Sequence, residues 1–183
     1  MYILEVEPLD LGPDVRAIGL ELAEADEHRE PVRGPDAARI WARALPAIAA
    51  SEVWALDFFS HLDRIRDFCD RHHVSYRDSN HHSVVIPAPD AQALQDLFDR
   101  FQNETFGARA GSGVTRDAEL EGELARRGVD AYHAAFPTYF FCAICNFEDG
   151  LLVLLSEKLW ANEVIRRVRP ALDGLHVEVQ LPS

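Results

Sequence analysis

Apolar side chains occupy every second position in two stretches near the beginning of the chain, residues 2–6 and 16–22. A period of two is typical of a strand with one buried face. The sequence at 11–14, Leu-Gly-Pro-Asp, lies between the two stretches and favours a turn. We therefore predict an N-terminal β-hairpin, followed by a polar surface loop over residues 24–36.

Other stretches place apolar residues three and four positions apart, which is the period of an α-helix. Such patterns predict one helix over residues 37–48 and another after Asp90, a favourable N-cap residue. A third helix is predicted between Ser156 and Pro170. Pro46 falls inside the first of these patterns, where it must end or kink the helix.

The most regular helical pattern lies between Ser51 and His73, where one face is spaced 3, 4, 3, 4 and 3 positions apart. This spacing favours a single long helix. An alternative stays open, in which residues 53–59 form a strand and the helix begins at Ser60, with Asp63 completing a capping box. The two interpretations differ in whether the sheet gains a strand here.

The C-terminal third contains the most apolar segments of the chain. Residues 138–147 and 151–155 are apolar on both faces, and Asp149-Gly150 between them is a strong signal for a two-residue hairpin turn. Strands of this kind lie in the middle of a sheet that is covered on each side. The patterns together predict an α+β fold with a mostly antiparallel sheet, packed helices and a central apolar hairpin near residues 138–156.

Residues 1–183 are expected to form one domain, because no linker clearly separates two parts. An arrangement in which the hairpin and acidic loop of residues 1–36 are peripheral to that domain also stays open. Further helices are predicted from Arg116 and over 129–136, and a half-exposed last strand is predicted over 175–181.

Acidic side chains outnumber basic ones by 31 to 18, which gives a formal net charge of −13. Residues 1–36 hold ten acidic and three basic side chains, so 10 − 3 = 7 of the excess negative charges lie in the first fifth of the chain. Such a surface repels phosphate, which argues against non-specific nucleic-acid binding and against an anionic membrane. It can instead dock a basic protein partner. The candidate partner-binding residues are Glu21, Glu24, Asp26 and Glu27.

Cysteine is sparse, and Cys69, Cys142 and Cys145 do not form a disulfide framework. The last two have CxxC spacing, but they fall in an apolar strand and lack a second cysteine or histidine pair for a zinc site. We expect buried, reduced thiols and no cofactor. Because neither a signal peptide nor a membrane-spanning stretch is visible in the sequence, the predicted location is the cytoplasm.

Histidine forms two adjacent pairs, His72-His73 and His81-His82. A second hairpin is predicted over residues 74–87, turning at 78–80, which places Tyr76 opposite His82. Imidazoles suit proton transfer and metal binding near neutral pH. The candidate catalytic residues are His81, His82, Tyr76 and Asp78, and the candidate metal ligands are His73, His81 and His82.

The glycine-rich segment Gly107–Gly113 precedes a predicted helix, so its backbone amides could form an anion-binding nest. The segment matches neither of the common phosphate-binding glycine motifs. We therefore predict a surface loop.

Two functions of different classes follow from these features. The first is that of an acidic intracellular protein acting by protein–protein binding, such as an inhibitor, an immunity-type protein or a regulatory module for a basic partner. The second is that of a small enzyme or ligand-binding domain using the histidine-rich hairpin 72–82. The localised acidic charge and the lack of a recognisable catalytic motif favour the first.

Overall fold

Nine strands and four helices are found in the part of the chain that the structure, a computed structural model, describes. This is an α+β fold, as the sequence predicts. The described residues are 1–10, 16–49, 52–56, 62–80, 83–87, 90–101, 105–109, 142–146, 151–155 and 161–182.

The elements alternate between strands and helices along most of the chain. The strands are β1 (Tyr2–Asp10), β2 (Arg16–Glu24), β3 (Glu52–Leu56), β4 (Arg77–Asn80), β5 (Ser83–Pro87), β6 (Thr105–Arg109), β7 (Cys142–Asn146), β8 (Leu151–Leu155) and β9 (Val177–Gln180). The helices are α1 (Gly34–Ala49), α2 (Leu62–Arg71), α3 (Ala91–Arg100) and α4 (Ala161–Ala171).

All nine described strands belong to one sheet, in the order β4-β5-β3-β6-β7-β8-β2-β1-β9. Neighbouring strands are antiparallel, except that β1 and β9 are parallel. The β7–β8 hairpin pairs Cys142 with Leu155 and Asn146 with Leu151, and it lies in the middle of the sheet. The prediction of a mostly antiparallel sheet with a central apolar hairpin is therefore confirmed, although its turn residues, Asp149 and Gly150, lie outside the described residues.

The predicted N-terminal hairpin is also present. Strands β1 and β2 pair from Tyr2–Glu24 to Asp10–Arg16. The alternation in the sequence corresponds to burial, because Leu4, Val6, Leu20 and Leu22 are completely buried. Since β2 also pairs with β8, this hairpin is built into the main sheet.

The prediction of a single helix from Ser51 to His73 is wrong. Residues 52–56 form β3, which pairs with β5 on one side and with β6 on the other, and α2 begins only at Leu62. The sheet satisfies the backbone hydrogen bonds of β3 from both sides, and this tertiary pairing outweighs a local helical spacing. The alternative interpretation, a strand followed by a shorter helix, is the one that the structure contains.

The other described helices agree with the apolar spacing. Helix α1 includes residues 37–48, and Pro46 lies inside it without ending it. Asp90 caps α3 as predicted, since its Oδ1 accepts a hydrogen bond from the Ala93 N–H at 2.8 Å. Helix α4 continues through Pro170 to Ala171.

The prediction that Gly107–Gly113 is a loop is wrong in its first part. Residues 105–109 form β6, which is bonded to β3 and β7, so the paired neighbours decide the conformation of this glycine-containing segment. Residues 110–113 and the helices predicted from Arg116 and over 129–136 lie outside the described residues.

A hydrophobic core lies between the helices and the inward-facing residues of β1, β2 and β5. Trp41 of α1 and Phe98 of α3 are its largest completely buried side chains, and Phe68 of α2 meets Phe101 edge-on at 5.8 Å between ring centres. Among the described helices, none has the length and hydrophobicity needed to cross a bilayer.

Candidate functional site

The four residues predicted to bind a partner are exposed at one end of the sheet. Glu21 lies on β2, on the face opposite the buried Leu20 and Leu22, and Glu24 ends that strand. Asp26 and Glu27 follow in the connection to α1. We call Glu21, Glu24, Asp26 and Glu27 the acidic surface.

The connection that carries half of this surface is held by its own hydrogen bonds. Asp26 Oδ1 accepts hydrogen bonds from the backbone N–H groups of His28 and Arg29, each at 3.0 Å. The Glu24 N–H donates to the Glu30 carbonyl at 2.9 Å, and the Val32 N–H donates to the Leu22 carbonyl at 3.1 Å. Of the predicted surface loop 24–36, Glu24 belongs to β2 and residues 34–36 belong to α1. The remaining residues 25–33 form a hydrogen-bonded turn, which we call the acidic turn.

Arg29 neutralises part of the charge beneath the turn. Glu5 of β1 lies directly opposite Glu21 of β2, a like-charge pair that is unfavourable across strands. The Arg29 guanidinium donates to Glu5 Oε1. This hydrogen bond, together with the charges of Glu5 and Glu21, raises the pKa of Arg29. The arginine thus offsets the repulsion on the strands, while Glu24 and Glu27 project their charges outward.

The histidine-rich hairpin differs from its prediction. Arg77 pairs with Val85, Asp78 with Val84 and Asn80 with Ser83, so residues 78–80 belong to β4 and do not form the predicted turn. The expected pairing of Tyr76 with His82 is therefore wrong. Strand β5 also pairs with β3 along its whole length, and Val84, Val85 and Ile86 are all buried, so the sheet fixes the position of β5. His81 and His82 themselves lie outside the described residues.

His73 has a structural role that its sequence context did not reveal. It ends α2 in the left-handed conformation, with φ of 55°. The Val74 N–H donates to the Cys69 carbonyl at 2.8 Å and the His73 N–H to the Asp70 carbonyl at 3.4 Å, the two bonds of a Schellman cap. Within the described residues, no group of three metal-ligating side chains is assembled, with His73 or elsewhere.

Tyr76 and Asp78 are each bound by a residue of α2. The Arg66 Nε donates to Asp78 Oδ1 at 2.8 Å, and the Tyr76 hydroxyl donates to Asp70 Oδ2 at 3.4 Å. Partial burial, followed by the negative charge of Asp70, raises the pKa of Tyr76. Tyr76, with its raised pKa, is poorly suited to act as a base. Asp78, because it is paired with Arg66, is poorly suited to bind a metal.

A cleft that the sequence did not suggest lies near the acidic surface. Its volume is about 1010 Å³, at the upper end of the range typical of ligand pockets. It is bounded by the first residues of β1 and α1 and by the chain from the end of α4 through β9. The lining residues are Met1, Tyr2, Asp36, Arg39, Arg169, Leu172, Asp173, Gly174, Leu175, His176, Val177, Glu178 and Val179.

Polar groups on one wall of this cleft form a connected set. Asp36 accepts hydrogen bonds from the Tyr2 hydroxyl at 2.5 Å and from Arg39 at 2.6 Å. The hydrogen bond to Asp36, and then burial, raises the pKa of Tyr2. Arg39 Nε is buried and finds no hydrogen-bond acceptor among the described residues. This wall can hold a ligand through hydrogen bonds, but the proton of Tyr2 is not readily released.

The cleft was missed because its walls are far apart in the sequence. Tyr2 and Val177 become neighbours only through the parallel pairing of β1 with β9. One signal was present, since Tyr2 occupies a position that alternation assigns to the buried face, where a hydroxyl needs a partner.

Comparisons of the chain with models of protein families, with curated proteins and with solved structures find no match.

Proposed function

We propose that this protein acts by binding a basic protein partner through its acidic surface, as an inhibitor, an immunity-type protein or a regulatory module. The observation that supports the proposal is the exposure of Glu21 and Glu24 on β2, together with that of Asp26 and Glu27 on the hydrogen-bonded turn that follows it. Charges presented in a fixed arrangement favour association with a surface of the opposite sign.

The local charge balance supports the same function. Between residues 21 and 33 there are five acidic and two basic side chains, and Arg29 is engaged by Glu5. A partner with arginine or lysine at matching positions would gain Coulomb energy and a higher association rate, and salt would weaken both effects.

The proposed setting is the cytoplasm, where thiols stay reduced. Cys69 is buried, and burial raises its pKa to about 11, so its thiol is not activated for redox chemistry. This environment is that of a structural cysteine.

The test is capture of proteins from the native host by the immobilised protein, followed by mass spectrometry. The test variant combines Glu21→Arg, Glu24→Arg and Glu27→Arg, and it leaves Asp26 in place because Asp26 holds the turn. The matched control combines Asp63→Arg, Asp67→Arg and Asp70→Arg, three exposed acids on α2. Both variants change the net charge equally.

We expect the test variant to lose a basic protein that the wild type and the α2 control retain, by about tenfold or more at low salt. The wild-type interaction should weaken as salt is raised. Equal capture by all three proteins would contradict the proposal, as would loss of capture in the α2 control alone.

A further inference from the structure

The strand β9 is an edge of the described sheet, since its neighbour there is β1 alone. The Tyr2 N–H donates to the His176 carbonyl at 3.0 Å, and Tyr2 lies opposite Val177. In a parallel ladder of this register, residues 176 and 178 direct their peptide groups toward β1, whereas Val177 and Val179 direct theirs away from it. Outward peptide groups at a sheet edge are a template for a further strand.

One of these outward groups already accepts a hydrogen bond from a side chain. The Arg169 guanidinium donates to the Val179 carbonyl at 2.8 Å. This contact confirms the outward direction of the Val179 peptide group. At Val179, therefore, an added strand would either end or displace Arg169. The outward N–H and carbonyl of Val177 are the groups to which the added strand would bond.

The cleft provides space beside β9 for the side chains of an added strand. It lies along β9, and Leu172, Leu175 and Val177 form an apolar part of its lining. A strand that adds to a sheet edge gains affinity from main-chain hydrogen bonds and specificity from space for alternate side chains. The volume of about 1010 Å³ gives room for side chains of several residues.

The charges around the cleft indicate what kind of segment would bind. Asp173 and Glu178 are exposed in its lining and form no ion pair within the described residues. Of the two arginines in the lining, Arg39 is paired with Asp36, whereas Arg169 bonds to the Val179 carbonyl and has no carboxylate partner among the described residues. Positive side chains on an added strand would therefore find unpaired carboxylates.

The cleft is also continuous with the acidic surface. Tyr2, in the cleft, pairs across the strands with Glu24, and the Ala25 N–H donates to the Met1 carbonyl at 3.1 Å. A partner that covers the acidic surface can therefore reach the edge of β9.

We propose that the cleft binds an extended, basic segment of the partner protein, which adds to β9 as a further strand. The identity of the partner rests on the function proposed above, whereas the mode of binding rests on the edge strand and the cleft.

The test uses a blocked seven-residue peptide of alternating lysine and valine. A second peptide has the same sequence with every other backbone nitrogen methylated, which removes hydrogen-bond donors but keeps the charge. We expect the first to bind the wild-type protein about tenfold more tightly, and to slow amide hydrogen exchange at Val177 about tenfold. Equal affinity of the two peptides, or unchanged exchange at Val177, would overturn the inference.

Charge variants give a second measurement. Asp173→Arg combined with Glu178→Arg should weaken the lysine peptide about tenfold. Asp67→Arg combined with Asp70→Arg, at the opposite end of the sheet, changes the net charge equally and should leave affinity within about threefold. If both variants bind alike, the carboxylates of the cleft do not select the segment and the inference is wrong.

A second copy of this chain is the other occupant to consider. Sedimentation that shows a dimer, with Val177 protected in the absence of peptide, would assign the edge to self-association and overturn the inference. The two proposals fail separately. If the Glu21, Glu24 and Glu27 variant loses the partner but the peptide does not slow exchange at Val177, only the proposal for the cleft is rejected. If the peptide slows exchange at Val177 but the variant still captures the partner, only the proposal for the acidic surface is rejected.

Discussion

Two charged connections in this protein look alike in sequence and differ in structure. The acidic turn follows β2, and the second region, residues 72–78, follows α2 and includes the first two residues of β4. Each contains a residue other than glycine in the left-handed conformation, Arg29 with φ of 50° and His73 with φ of 55°. Each also concentrates ionisable side chains within a few positions.

The difference lies in what those side chains contact. After α2, Asp78 is bonded to Arg66, Tyr76 is bonded to Asp70, and the ring of His72 stacks on Phe68 at 4.2 Å. In the acidic turn, the bonds of Asp26 go to the backbone and Glu27 projects outward, as does Glu24 at the end of β2. A dense set of reactive residue types therefore indicates a site only where neighbouring elements leave those groups available.

The largest effect is expected from breaking the acidic turn. Replacing Asp26 by alanine removes an acceptor for two backbone N–H groups and should lower the free energy of unfolding by about 1–2 kcal/mol. The adjacent Glu27→Ala is the control, since Glu27 approaches His28 only at 3.6 Å and should cost less than about 0.5 kcal/mol. Urea unfolding measures both, and equal losses would show that Asp26 does not hold the turn.

A smaller effect compares the two left-handed residues. His73→Gly relieves the backbone strain in the cap of α2 and should raise the free energy of unfolding by about 0.5–1 kcal/mol. Arg29→Gly relieves the same strain but removes the bond to Glu5 and leaves Glu5 facing Glu21, so its gain should be smaller or reversed.

Salt provides the control for this pair of variants. At about 1 M salt the screening length is about 3 Å, so the difference between His73→Gly and Arg29→Gly in urea unfolding should shrink. A difference that is insensitive to salt would show that electrostatics does not separate the two positions.

The smallest effect concerns two tyrosines whose pKa values are raised above 10.0 for different reasons. For Tyr2 the main cause is the hydrogen bond to Asp36, and for Tyr76 it is burial. Asp36→Asn should therefore lower the pKa of Tyr2 more than Asp70→Asn lowers that of Tyr76. A titration of ring-labelled tyrosine by NMR measures both shifts, and equal shifts would contradict the assigned causes.

The sign of the matching stability effect follows from linkage. A raised pKa means that the folded state favours the protonated tyrosine, so the associated stability is present below pH 10 and is lost as the pH rises through the folded-state pKa. The loss at alkaline pH should be smaller in Tyr2→Phe than in the wild type.

The sequence correctly predicted those elements in which the spacing of apolar residues along the element matches the residues that are buried. The alternation in β1 and β2, the cap at Asp90 and the apolar run in β8 each reflect contacts that one period or one residue can encode. Strand β3 was predicted only as the alternative, and the glycine-containing strand β6 was missed, because their conformation depends on pairing with each other and with β5 and β7.

The candidate sites follow the same division. The exposure of Glu21 could be anticipated from charge and alternation, and that of Glu24 from its charge at the end of the strand, because these depend on local sequence. The cleft could not, since it brings Tyr2 and Asp36 to Val177 and Glu178 from the other end of the chain. Parallel pairing between distant strands has no signature within either strand.

The pairing of β1 with β9 also has a consequence for how the molecule folds and opens. Gln180 Nε2 donates to Glu5 Oε1 at 3.3 Å across 175 positions of sequence, so this contact joins the two ends of the described chain. We expect a contact between such distant residues to form late in folding, and an edge strand of four residues to open early in unfolding. The cleft therefore forms only when β9 has paired with β1. A ligand bound there would stabilise this pairing and slow the opening of β9.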